Sequence, residues 1–111
     1  MRALVGASML LLSAGAGWAQ SVPEYPVERW CDQVARSVGS RSEVIYGSCI
    51  DQEQGAYDGL KGRWATIPAP ARRWCDQVAK ASGTGSYVIL GSCIEQETAA
   101  GEQNQRRQFR R

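Results

Sequence analysis

The chain has 111 residues, including four cysteines and no histidine, and its net charge is +2. Without histidine, the Ser-His and Cys-His arrangements of hydrolytic enzymes cannot be built. Residues 20–105 carry a net charge of −3, so the body lacks the basic surface that nucleic-acid binding requires.

Residues 1–19 have the pattern of a cleaved secretory signal. Arg2 precedes a short run of small and apolar residues, and residues 17–19, Gly-Trp-Ala, form a small-residue cleavage site before Gln20. The run is too short and too rich in glycine to span a membrane. We therefore predict an exported protein, periplasmic or secreted, without a membrane span.

The exported part of the chain contains one sequence twice. Residues 29–56 align without a gap with residues 73–100, which lie 44 positions later, and 18 of the 28 pairs are identical. A repeat of fixed period indicates one supersecondary unit used twice. The predicted organisation is a signal peptide (1–19), a first helical hairpin (20–62), an Ala/Pro connector (63–70), a second helical hairpin (71–101) and a disordered basic tail (102–111).

The first half of each copy is predicted to be a helix. In the first copy, apolar residues recur at helical spacing at Val27, Trp30, Cys31, Val34, Ala35 and Val38. Pro26 and Pro70 suit a helix start, because proline lacks only an N–H that has no partner there. Gly39 and Gly83 are predicted to end these helices with a positive φ.

The second half of each copy admits two interpretations. Its Val-Ile run favours a strand, but the run continues unbroken into a polar segment, and we therefore predict a helix. Ser40 or Ser42 in the first copy, and Thr84 or Ser86 in the second, can cap this helix. Ser40 and Glu43 fit a capping box in the first copy alone. Glycines at 47 and 91 count against a helix, and their presence in both copies suggests close packing.

The four cysteines allow three disulfide pairings. Cys31 and Cys49 lie nine residues on either side of Ser40, so an antiparallel hairpin turning there brings them level, as it does Cys75 and Cys93 around Thr84. The predicted bonds are Cys31–Cys49 and Cys75–Cys93. The predicted fold is all-α, a tandem pair of disulfide-stapled antiparallel helical hairpins.

Few other residues suggest chemistry. Four thiolates with long spacing do not resemble a zinc site, and no C-x-x-C redox motif is present, so we predict no metal and no cofactor. Asp32 and Asp76, with Glu53 and Glu97, could form acid/base pairs, but a solvated helix face with a helix cap is the preferred interpretation. Glu53 and Glu97 are predicted to cap the first helix of their own hairpin.

Two further sets of residues are candidates for partner binding. Trp30 and Trp74, beside the cysteines, either cover the disulfides or present exposed aromatic anchors to a protein or glycan. Both are predicted to be more buried than Trp64 in the connector. The basic tail is either a solvated end or an arm for an anionic surface or polymer, through Arg106, Arg107, Arg110 and Arg111.

The repeated pattern W-C-x-x-V-A-x-x-x-G-x-x-S-[YE]-V-I-x-G-S-C-I-x-Q-E resembles a motif of small exported bacterial proteins of uncharacterised function. The resemblance implies export and nothing about activity. The sequence therefore predicts a non-enzymatic interaction module whose partner is an unidentified protein or envelope polymer. The alternative is a proteinaceous inhibitor of a secreted hydrolase, of the lysozyme or protease type.

Overall fold

The computed structural model describes residues 21–111, and within them the regular structure is entirely helical. The helices are α1 (Val27–Arg36), α2 (Glu43–Arg63), α3 (Ala69–Ala79) and α4 (Tyr87–Asn104), with a 3-10 helix (Trp64–Thr66) after α2. The all-α prediction is confirmed, and both Val-Ile runs are helical. The predicted signal peptide, 1–19, lies outside the described residues.

Each hairpin turns at a glycine and restarts at a serine. Gly39 and Gly83 have φ values of 106° and 98°, conformations that favour glycine. Ser42 and Ser86 are the N-caps of α2 and α4, since their hydroxyls accept hydrogen bonds from the amides of the third helical residues. The capping box predicted for the first copy does not form, because the N-cap is Ser42 and Glu43 pairs with an arginine.

A disulfide joins the two helices of each hairpin. The bonds are Cys31–Cys49 and Cys75–Cys93, with Cα–Cα distances of 5.5 Å in both hairpins, so the predicted pairing is confirmed. Each closed loop of this length contributes roughly 3 kcal/mol by constraining the unfolded chain. The bond matters in both hairpins because each first helix buries only two side chains, Cys31 and Ala35 in α1 and Cys75 and Ala79 in α3.

The main core joins the second hairpin to the end of α2. Its apolar members come from α2, the connector, α3, α4 and the N-terminal segment: Tyr25, Leu60, Trp64, Ile67, Cys75, Ala79, Tyr87, Leu90 and Ile94. Leu60, Leu90 and Ile94 are almost completely buried. Burying side chains of this size stabilises the fold by about 1.5–3 kcal/mol each. The two repeats therefore form one packed body.

The connector is folded into this core. Trp64 is 4% exposed and Ile67 is 7% exposed, because the 3-10 turn after α2 directs both side chains inward. The prediction that Trp64 is the most accessible tryptophan is therefore wrong. The connector is also shorter than predicted, since α2 continues to Arg63 and α3 begins at Ala69 with Pro70 at its second position.

The segment before α1 binds the second repeat. The Tyr25 backbone N–H donates to the Tyr87 hydroxyl at 2.9 Å, and that hydroxyl donates to the Pro23 carbonyl at 2.7 Å. The Tyr25 hydroxyl donates to Asp76 at 2.6 Å. Burial, followed by the neighbouring Asp76 carboxylate, raises the pKa of Tyr25. A Cβ added to Gly85 would lie 2.6 Å from the Tyr25 ring, so the packing of this N-terminal segment requires glycine at position 85.

Two local expectations need correction. A Cβ added at Gly47 or Gly91 would meet nothing within 4 Å, so no close packing explains these glycines. At the other end of the chain, α4 continues to Asn104, so residues 102–104 of the predicted tail are helical. The helix can continue there because the Gln105 amide donates to the Gly101 carbonyl.

Candidate functional site

Two adjoining grooves, each with a volume of about 400 Å³, form an apolar concave surface. The first repeat contributes Trp30, Val34, Val44, Ile45, Ser48, Cys49, Gln52 and Glu53 to the first groove. The second groove is lined by Trp74, Val78, Val88, Ile89, Ser92, Cys93, Gln96 and Glu97. These sets are equivalent residue by residue, 44 positions apart, and identical in type.

The repeat explains why the same groove is built twice. In each hairpin the tryptophan and a valine lie one turn apart on the first helix, and the disulfide holds this face against the second helix. A polar rim is also shared. Gln52 donates to the Ser48 hydroxyl at 3.4 Å, and Gln96 donates to Ser92 at 3.3 Å.

The apolar walls of both grooves reach the surface. Val44 is 82% exposed, Trp74 is 53% exposed and Val88 is 40% exposed, while Trp30 is half-buried. The grooves adjoin because Val88 and Ile89 line both of them. The prediction that Trp30 and Trp74 are more buried than Trp64 is wrong, since each tryptophan forms a groove wall and Trp64 occupies the core.

Glu53 joins the two repeats at the inner end of the first groove. It is 2% exposed. It accepts hydrogen bonds from the Ser86 hydroxyl at 2.5 Å, the Tyr87 amide at 2.6 Å and the Val88 amide at 3.4 Å. A carboxylate here satisfies first-turn donors of α4 and complements the positive end of its dipole.

The prediction that each glutamate caps the first helix of its own hairpin is therefore wrong. Glu53 caps a helix, but that helix is α4 of the other repeat and not the first helix of its own hairpin. Glu97 is exposed and lies at the edge of the second groove. The two positions differ because the second repeat follows Glu53 in the chain and packs on it, whereas α4 ends soon after Glu97.

The aspartates considered as acid/base partners form structural contacts. Asp32 accepts from Arg36 at 2.8 Å and from Arg41 at 2.9 Å, and these hydrogen bonds lower the pKa of Asp32. Asp76 accepts from Tyr25 and pairs with Lys80 at 2.8 Å. All four thiols are consumed in disulfides. Among residues 21–111, no group of three or more metal-ligating side chains could hold a metal ion.

The basic tail is exposed and does not line either groove. Arg107 donates to the side chains of Asn104 and Gln103, which ties it to the end of α4. Among the ion pairs of the described residues, none involves Arg106, Arg107, Arg110 or Arg111. The tail and the tryptophans are therefore separate candidates for binding.

The valines that extend the groove walls were not among the residues predicted to bind a partner. Val44 and Val88 directly follow the first residue of α2 and α4, where an apolar side chain is not required by the helix itself. Their presence in both copies was the available signal. The different roles of Glu53 and Glu97 could also be predicted from the residues that follow them. Large apolar side chains follow Glu53, at Tyr57 and Leu60, and indicate a packed surface. The equivalent positions after Glu97 are Gly101 and Asn104.

The fold and grooves thus define a two-repeat helical protein, each repeat a disulfide-stapled hairpin with an apolar groove. Comparisons with protein-family models, with curated proteins and with solved structures found no match to this chain. Among the described residues, none of the helices combines the length and apolar character needed to cross a membrane.

Proposed function

We propose that this chain is an exported, non-enzymatic interaction module and that its two grooves form the binding surface. The observation that carries the proposal is the apolar exposure at Val44, Trp74 and Val88. Contiguous exposed apolar surface on a small protein is typical of a binding site, and a half-exposed tryptophan is a common energetic centre of one.

The grooves favour an apolar partner segment with few charges. Their linings combine aliphatic and aromatic side chains with serine and glutamine, and the charged members are Glu53 and Glu97. Glu53 is already engaged with α4. Because disulfides hold both hairpins, binding requires little ordering of this surface, which favours affinity. The partner expected from this chemistry is a protein.

Export is part of the proposal. It is supported by the two disulfides, which persist in oxidising compartments such as the periplasm or the extracellular medium. The expected partner is accordingly a protein of the envelope or the medium.

Affinity capture from envelope and medium fractions, using the oxidised protein as bait, tests the proposal. Trp74→Ser and Val44→Ser should each weaken capture of a specific partner, because both remove apolar groove wall. Phe109→Ser is the matched control, since Phe109 is 85% exposed but lies in the tail. Equal capture by all variants would refute the binding surface.

The identity of the captured protein separates the two classes of function. Capture of a secreted hydrolase, together with loss of its activity when the wild-type chain is added, would support the inhibitor alternative.

Unfolding measured by circular dichroism should show that both groove variants are folded, because the substituted side chains are largely exposed.

A further inference from the structure

The second groove is the first groove with one wall missing. Besides its residues from the first repeat, the first groove is lined by three residues of the second repeat: the N-cap Ser86, and Val88 and Ile89 of α4. The second groove is lined only by the equivalents of the first-repeat residues. The first hairpin therefore shows which structure fits against this surface: the first turn of a helix that begins Ser-x-Val-Ile.

The acceptor for such a helix is present in the second groove. In the first repeat, the Glu53 carboxylate accepts hydrogen bonds from the hydroxyl of the N-cap Ser86 and from the next two backbone amides. Glu97 is the equivalent residue, and it is exposed beside Gln96 and Ser92. A helix start that approached Glu97 in the same way would satisfy this carboxylate and its own first-turn amides.

A matching helix start is exposed at the other end of the molecule. Ser42, Val44 and Ile45 are identical to Ser86, Val88 and Ile89 and open α2 as the latter open α4. Ser86 is buried whereas Ser42 is half-buried, and Val88 is 40% exposed whereas Val44 is 82% exposed. Ser42 accepts from the Ile45 amide, as Ser86 does from Ile89, and its hydroxyl hydrogen can be donated elsewhere.

We propose that the second groove binds the first turn of α2 in a second copy of this chain, with Glu97 of one copy capping α2 of the next. The proposal rests on the proposed function, because it names a partner for the same surface. Such a contact joins different surfaces of the two copies, so it produces head-to-tail rings or open chains.

The contact between copies is weaker than the internal one. Leu60, which packs in the core beside α4, has Asn104 as its counterpart in the second repeat. Glu43 stands where the internal contact has Tyr87, and its carboxylate pairs with Arg41. We therefore expect reversible association that increases with protein concentration.

Sedimentation velocity of the oxidised full chain over a wide concentration range tests the proposal. The wild type should associate, and Glu97→Gln should weaken association about tenfold, because a neutral amide with one acceptor oxygen replaces the charged carboxylate. Glu95→Gln is the matched control on the same helix and should not change association, since Glu95 is exposed and pairs with Arg63 at 3.7 Å. Glu43→Tyr should tighten association severalfold, because it removes a carboxylate next to Glu97.

A chain that remains monomeric at every concentration would overturn the proposal, and so would association that Glu97→Gln leaves unchanged. These outcomes are distinguishable from failure of the proposed function. A monomeric chain that still captures a partner through Trp74 would retain the binding surface and exclude the second copy as its occupant. A chain that neither associates nor captures a partner would refute both proposals.

Discussion

Replacing Glu53 by alanine should destabilise the protein much more than the same change at its repeat equivalent, Glu97. Glu53 is 2% exposed and accepts from the Ser86 hydroxyl and the Tyr87 amide at 2.5 and 2.6 Å. Its removal leaves these two donors buried without an acceptor, at a cost of about 1–3 kcal/mol each before relaxation. The lost interaction with the dipole of α4 adds about 0.3–1 kcal/mol.

We therefore expect Glu53→Ala to lower the free energy of unfolding by about 2–4 kcal/mol, measured by urea denaturation with the disulfides intact. For a chain of this size, such a loss lowers the melting midpoint by about 10–25 °C. Glu97→Ala should change stability by less than about 0.5 kcal/mol, because this side chain is exposed. Equal effects at the two positions would refute the conclusion that the hydrogen bonds of Glu53 join the two repeats.

Four further changes have clear expected outcomes. Gly85→Ala should lower the free energy of unfolding by at least about 2 kcal/mol, because the added carbon clashes with the Tyr25 ring. Gly47→Ala should raise it by up to about 1 kcal/mol, because the added carbon meets nothing within 4 Å. Urea unfolding measures both changes, and a change of the opposite sign at either position would contradict the packing described for it. Asp32→Asn should lower stability at neutral pH, because hydrogen bonds from Arg36 and Arg41 depress the pKa of Asp32. The stabilisation by this carboxylate is present above its pKa in the unfolded chain and disappears as pH falls through its pKa in the folded protein. A stability difference between wild type and variant that persists in acid would contradict this expectation. Deleting residues 106–111 should leave the melting midpoint nearly unchanged, since the tail is exposed, and a large loss in calorimetry would show that the tail packs on the body.

The internal repeat made the individual hairpins predictable. Two gap-free copies placed the turns at Gly39 and Gly83 and brought each pair of cysteines level, which selected the disulfides among three alternatives. These features depend on interactions within about 20 residues, where helical periodicity and capping chemistry govern the chain.

The packing between repeats was not predictable in the same way. Comparison of two similar copies implies equal roles for equivalent residues, yet Glu53 and Glu97 differ because only one of them has a repeat after it. Trp64 and Tyr25 lie outside the repeated sequence, so periodicity said nothing about their burial. Both enter the core through contacts that are distant in sequence, and such contacts override local propensity.

In the first repeat Glu53 holds the start of α4, whereas the equivalent site in the second repeat is open. Amide hydrogen exchange at Tyr87 and Glu43, equivalent first residues of α4 and α2, tests it directly. First-turn amides usually exchange fast because they have no partner within the helix. We expect strong protection at Tyr87, whose amide donates to buried Glu53, and fast exchange at Glu43 in dilute protein. Fast exchange at both amides would contradict it.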